Sequence, residues 1–160
     1  MSTSQPSPRG ENEELSQREQ LAWRSFLSVS TRCLEHIDQL LQQNSRMTLT
    51  DYEILLALSG AENERLRMSE LADRVLVSRS RLTYRVDRLA EVALVTREEC
   101  EDDRRGLWAI LTDQGRQTLD GAMPGHHASI RRLFFDPIDG RELDAVEDFL
   151  GRISAKLDAI

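Results

Sequence analysis

Residues 68–112 of this 160-residue chain read MSELADRVLVSRSRLTYRVDRLAEVALVTREECEDDRRGLWAILT, and the periodicities in that stretch decide the fold. Met68, Leu71, Ala72 and Val75 fall at i, i+3, i+4 and i+7, one face of a short helix. Ser69 is placed to cap its start, with Glu70 and Asp73 early in the helix where its dipole favours negative charge. Leu76-Val77-Ser78 makes a turn, and Ser78 can cap the longer helix that follows. In that helix Leu82, Val86 and Leu89 should face the core. Arg81, Arg85 and Arg88 repeat the same spacing on a different face, and Arg79, Ser80, Thr83 and Tyr84 fill the exposed N-terminal part. Two strands come next, at 94–98 and 107–111, joined by the turn-forming loop Glu101-Asp102-Asp103-Arg104-Arg105-Gly106. The expected fold is mainly α with a small β-wing: a winged helix-turn-helix flanked by N- and C-terminal dimerisation helices.

A helix entering the major groove needs guanidinium forks for guanine edges and phosphates, and short hydroxyls that permit close approach. Residues 74–88 supply Arg74, Arg79, Arg81, Arg85 and Arg88 against a single acid, Asp87. The whole chain has a formal charge of −7, so this is a local positive face on an acidic protein. Ser78, Arg79, Ser80, Arg81, Thr83, Tyr84, Arg85 and Arg88 are therefore the expected contacts to double-stranded DNA. At the wing, Arg104 or Arg105 can enter a neighbouring minor groove, where a narrow groove concentrates negative potential. Asp103 is expected to stabilise the wing by holding Arg105 or the adjacent backbone. The plainer alternative is a solvated helix and an acid-base loop without a role. The turn and wing adjoining the arginine face weigh against it.

The segments SELADRVLVSRSRLTYRVDRL, LVTRE and DRR…AILTDQG resemble the winged helix-turn-helix of the MarR family of transcriptional regulators. The family pattern of Asp-x-Arg, then apolar-x-Leu-Thr, then Gly falls on Asp103, Arg105, Ala109, Leu111, Thr112 and Gly115. One departure is Val92-Ala93, where the family usually has a basic residue followed by Gly. A glycine there would take φ > 0 to end the recognition helix, so Ala93 is expected to end it differently. The resemblance implies a first helix that joins the dimerisation domain. It also implies repression by occluding a promoter, relieved when a small anionic or phenolic ligand binds where the dimerisation helices meet the reading head. Arg32, His36 and Tyr52 are the residues that could recognise such a group.

Outward from the reading head, residues 1–12 are polar with Pro, Ser and Gly and are expected to form a disordered arm. Residues 13–44 carry a helical pattern with a broad apolar stripe that includes Leu21, Phe26, Leu34 and Ile37, more than one helix can bury in its own small domain. Thr50-Asp51-Tyr52-Glu53 has capping-box spacing and opens a second helix ending near Gly60; residues 61–67 read as a polar link. Residues 45–115 make the DNA-binding domain and 116–160 the C-terminal dimerisation helices. Thr112 can cap the first of these, Pro124 should bend it, and residues 126–135 should resume it as far as Asp136-Pro137. A last helix, 139–159, sets Leu143, Val146, Phe149, Leu150, Ile153 and Leu157 on one stripe. Two-fold pairing of these stripes would make a homodimer. Its two reading helices would lie about one DNA turn apart, and its target would be an inverted repeat with half-sites roughly 10 bp apart.

Other functions find little support. No apolar run is long enough to span a bilayer, and the chain has neither a signal peptide nor the cysteines for a disulfide framework, so no membrane partner and a cytoplasmic location are expected. No phosphate loop, nucleophile elbow or His/Asp/Ser constellation suggests an enzyme, and no cofactor is expected. The pair His126-His127 makes a poor chelate because adjacent helical residues point about 100° apart, so no metal site is expected. Two competing readings remain: a helical dimeric protein-interaction module that no longer reads DNA, and a thiol-switched repressor using Cys33 or Cys100. Cys33 falls on the apolar stripe, which favours an inert thiol, and the acids around Cys100 should slow its oxidation.

Overall fold

The computed structural model describes residues 14–75, 77–100 and 103–159, with backbone alone at Cys100 and at 103–105. The expected arm at 1–12 lies outside the described residues. The chain divides into two units, Met1–Leu34 and Glu35–Ile160. In the first, Ser16 and Glu19 close a capping box: the Glu19 carboxylate accepts the Ser16 N–H at 2.9 Å, and Ser16 Oγ accepts the Glu19 N–H at 3.3 Å. That box sets the start of helix α1, Gln17–Ser45. Leu21, Trp23, Phe26, Leu27, Val29 and Leu34 are all exposed on it.

The second unit is built around α2, Leu49–Ser59, where Tyr52, Ile54, Leu55 and Leu58 are almost wholly buried. Its cap is Thr48, two residues before the one expected. Thr48 has extended backbone and its hydroxyl accepts the Asp51 N–H at 3.2 Å, while the Asp51 carboxylate accepts the Thr48 N–H at 2.9 Å. Both Thr48 and Thr50 sit near a carboxylate at useful spacing. Two contacts select Thr48: the burial of Met47, and Asp38 of α1, whose Oδ1 accepts the Leu49 N–H at 2.7 Å.

The expected polar link contains a strand. β1, Arg65–Arg67, buries only its central Leu66. It pairs antiparallel with β3, Asp103–Leu111, which in turn pairs with β2, Val95–Cys100, in the order β1-β3-β2. Leu66 opposite Ala109 and Val95 opposite Leu111 give the sheet its core face. The guanidinium carbons of Arg65 and Arg67 lie 4.8 and 5.5 Å from the Trp108 ring centre, so charge protects this edge. The hairpin is longer than expected, and Asp103 to Arg105 belong to strand β3 rather than to its loop. A ladder satisfies backbone groups whatever the side chains, so polar residues that read as a turn can continue a strand.

Helices α3, Met68–Val75, and α4, Arg79–Glu91, form the helix-turn-helix. Leu71, Ala72 and Val75 on the first, and Leu82, Val86 and Leu89 on the second, join the core as their spacing predicts. Ser69 lies inside the first turn of α3 rather than ahead of it. Ala93 ends the exit from α4 at φ 58°, the left-handed conformation that a glycine would take there. It is held by Thr112, whose hydroxyl donates to the Ala93 carbonyl at 2.7 Å.

Thr112 also caps α5, Asp113–Ile130, by accepting the Gly115 N–H at 2.9 Å. The bend expected at Pro124 does not divide the helix, which carries Pro124 within it and passes into a π-helical turn, Arg131–Phe135. Pro124 is exposed, so the carbonyl one turn back that loses its partner can turn to water. Asp139 caps α6, Gly140–Leu157, in a further capping box with Glu142. No residue of α6 is buried. No helix among the described residues is long and apolar enough to cross a membrane.

Candidate nucleic-acid interface

The N-terminal half of α4 carries the expected contact residues. Ser78 caps the helix through its Oγ, 3.4 Å from the Arg81 N–H, and lies 3.3 Å from the Ser80 hydroxyl. Thr83 returns its hydroxyl proton to the Arg79 carbonyl at 2.9 Å, which leaves its methyl outward. Arg79, Ser80, Arg81, Thr83 and Tyr84 are all exposed, and neither Arg79 nor Arg81 has an ion-pair partner among the described residues. Two free guanidinium groups, two hydroxyls and an aromatic edge thus project from the first turns of one helix, where no acid neutralises them.

The other arginines of the stretch are placed differently. Arg88 lies 2.6 Å from Glu91, both exposed, so the pair is weakly held and open to competition by an anion. Arg85 is not free. Its Nε donates to Asp51 Oδ1 at 2.8 Å and its Nη2 to Thr48 Oγ1 at 2.8 Å and to Asp51 Oδ2. Asp51 is buried and Arg85 largely so. With Nε and Nη2 committed to Asp51 and Thr48, only Nη1 of Arg85 is left uncommitted, and this separates Arg85 from the exposed arginines grouped with it by spacing. On the opposite flank of α4, Asp87 pairs with Arg97 of β2. Spacing gave no sign of that contact, because Arg97 reads only as a strand residue. The side chains of Asp103, Arg104 and Arg105, together with that of Cys100, lie outside the described residues. Cys33 is half-buried and free.

Arg32 and His36 are exposed, whereas Tyr52 is buried. The polar group that Tyr52 meets is His126 of α5, ring centres 4.2 Å apart. His126 borders a cavity of about 170 Å³, lined also by Ile37, Leu40, Asn44, Ala122 and Ser129. Tyr52 Oη and His126 Nδ1 are both buried without a hydrogen-bond partner. Sequence reading passed over His126 because it was weighed only as half of a histidine pair.

Burial, and secondarily the neighbouring His127, hold the His126 imidazole below its ordinary value of 6.5. The unfolded chain therefore takes up a proton before the folded one does. Stability from this group is complete above pH 6.5 and falls as pH drops through that value towards the lower folded one. Thermal melts between pH 7.5 and 5.5 should show the loss in the native chain and a flatter profile in His126→Gln. Parallel profiles would show that His126 is not the group responsible.

A model of the MarR family matches residues 47–106. AbsC, a MarR family transcriptional regulator from Streptomyces coelicolor, is 39% identical, with a TM-score of 0.86 over 93% of this chain and 100% of that one. Sco3205, a MarR family transcriptional regulator from the same organism solved in complex with DNA, is 36% identical, with a TM-score of 0.87 over 92% of each chain. The transcriptional repressor MprA of Escherichia coli (strain K12) is 26% identical over 147 residues, 92% of this chain and 82% of its own length.

Proposed function

Since the chain belongs to the MarR family of transcriptional regulators, a family of regulators and not of enzymes, we propose that it is a homodimeric repressor that reads an inverted-repeat operator. The carrying observation is the free, exposed set Arg79, Ser80, Arg81, Thr83 and Tyr84 on the first turns of α4. The helix dipole and open guanidinium groups favour phosphate there, and the hydroxyls permit close approach to base edges. Arg88 adds a phosphate contact once Glu91 gives way, and Arg104 and Arg105 serve the wing with Asp103 as its brace. Residues 13–44 and 116–160 supply the dimer contacts around a DNA-binding domain at 45–115. The exposed apolar residues on α1 and, separately, on α6 support this.

Release of DNA follows binding of a small anionic or phenolic molecule in the cavity beside His126. A dry cavity of about 150 Å³ holds a benzene ring, so a space of about 170 Å³ suits one aromatic ring. A phenol or weak acid there can pair with His126, which borders the space and whose ring lies 4.2 Å from that of Tyr52. Arg32 and His36, exposed as they are, have no part in this version of the site.

The test is fluorescence anisotropy against DNA upstream of the coding region and a scrambled duplex, at two salt concentrations. The native chain should prefer the first and lose affinity steeply with salt. Arg81→Ala should cost about 1–3 kcal/mol and relax specificity at one position of the half-site if it reads a base. Equal binding of both duplexes by the native chain, repeated with sequences selected from a random pool, would sink the reading.

A further inference from the structure

Asp51 is the one buried charged residue among those described, and it does two jobs at once. It closes the capping box of α2 by accepting from the Thr48 N–H and from the Thr48 hydroxyl, the latter at 2.7 Å. It also receives the two-pronged grip of Arg85, which stands in the middle of α4. The same end of α2 is tied to α1, because Asp38 accepts the next free amide, that of Leu49. The contacts therefore form a continuous chain: Asp38 on α1, the first turn of α2, Asp51, and Arg85 on α4.

We infer that Arg85 is a positioning residue and not a reader of DNA: with Asp51 it sets the orientation of α4 from the N-terminus of α2, which Asp38 ties to α1. The inference rests on the reading of α4 as the DNA-contacting helix. Apolar packing through Leu82, Val86 and Leu89 holds α4 against the core but is tolerant of small rotations, since contacts of that kind are not directional. A bidentate guanidinium–carboxylate pair is directional, because both N–H vectors must meet both oxygens. It fixes the rotation of α4 about its own axis, and with it the aim of Arg79 and Arg81 one to two turns earlier. The link to α1 gives the same chain a second use. Any shift of α1 relative to α2 reaches the reading helix through hydrogen bonds rather than through compliant side-chain packing.

The probe is a duplex enriched from a random-sequence pool by the native chain, compared with its scrambled counterpart by anisotropy across a salt series. Asp51→Asn and Arg85→Gln should each lose about tenfold in discrimination between the two duplexes, within the range of ordinary coupling between sites. The double variant should lose no more than the worse single one, because both remove one interaction. Binding to the scrambled duplex and the slope of affinity against salt should stay at native values, since Arg85 neutralises no phosphate. Asp38→Asn should weaken discrimination in the same direction by a smaller factor. A reader of DNA gives the opposite pattern: Arg85→Gln lowers the salt slope by about one while Asp51→Asn leaves discrimination intact, and that result would overturn the inference. Where Asp51→Asn fails to fold, the apolar pair Asp51→Leu/Arg85→Met decides. Folded with discrimination lost and the salt slope at its native value, it upholds the positioning role; folded with native discrimination, or with the slope lowered by about one, it refutes it. A native chain that enriches no sequence overturns the proposed function and this inference with it, whereas one that enriches a sequence indifferent to all these variants overturns the inference alone.

Discussion

Gly115→Ala should lower the thermal midpoint by roughly 6–12 °C, corresponding to about 3 kcal/mol, the upper end of the cost of overpacking. A Cβ at this position would stand 2.1 Å from the Leu94 carbonyl oxygen and 2.8 Å from Leu111 Cδ1. The leucine side chain could yield, but the carbonyl could not. It is backbone at the start of the wing, and it already accepts the Thr112 N–H at 3.2 Å. Moving it would disturb Thr112, which caps α5 and holds the Ala93 carbonyl. One methyl group thus strains the exit of α4, the root of the wing and the start of α5 together. Gly121→Ala is the control, because nothing lies within 4 Å of a Cβ there. It should be neutral or stabilising, by up to about 1 kcal/mol, since alanine is the better helix former. Circular dichroism melts of both variants make the comparison. If the two behaved alike, the close approach of α5 to Leu94 would be refuted.

That close approach was not legible: the resemblance placed Gly115 in a family pattern, but nothing in the periodicity of Asp113–Ile130 marks it as constrained. Periodicity did reveal the helix-turn-helix, because Leu71, Ala72, Val75, Leu82, Val86 and Leu89 bury one face of each helix at helical spacing. Ser78 was readable as a cap for a local reason, its hydroxyl lying three residues from the amide it serves. Contacts distant in sequence were not readable. Arg85 and Asp51 are 34 positions apart, and by type each belongs on a solvated surface; only the fold shows that they meet and that Asp51 is buried. β1 was missed because a strand of three residues with one buried side chain has too few positions for alternation to register. Ala93 was expected to avoid the left-handed region because an L-residue pays about 1–2 kcal/mol there. The local hydrogen bonds of Thr112 and the packing of Leu94 outweigh that cost. At Pro124 the helix rule concerns the proline alone, while the outcome also depends on whether the orphaned carbonyl can reach water.

The pair of substitutions Leu150→Asp/Ile153→Asp should convert the proposed homodimer to a monomer and weaken operator binding at least a hundredfold. Leu150 and Ile153 are 45% and 38% exposed, and they sit on the same stripe of α6 as Leu143, Val146 and Leu157. No residue of this helix is buried among the described residues, so its apolar face contributes little to the fold of one subunit. In a two-fold interface every substitution occurs twice, and an aspartate desolvated against a copy of itself brings like charges together as well as losing apolar burial. Loss of pairing separates the two reading heads. Linked sites gain about 10²–10⁴ in avidity over one head alone, which sets the size of the expected loss. Because the substituted side chains are already exposed in the single chain, far-ultraviolet circular dichroism should keep its helical signal, so the loss would not be one of folding. Sedimentation equilibrium gives the mass and anisotropy the affinity on the same samples. A dimeric mass with native affinity would show that the α6 stripe is not the pairing surface. A monomeric mass in the native chain would remove the two-fold arrangement, and with it the expectation of an inverted repeat.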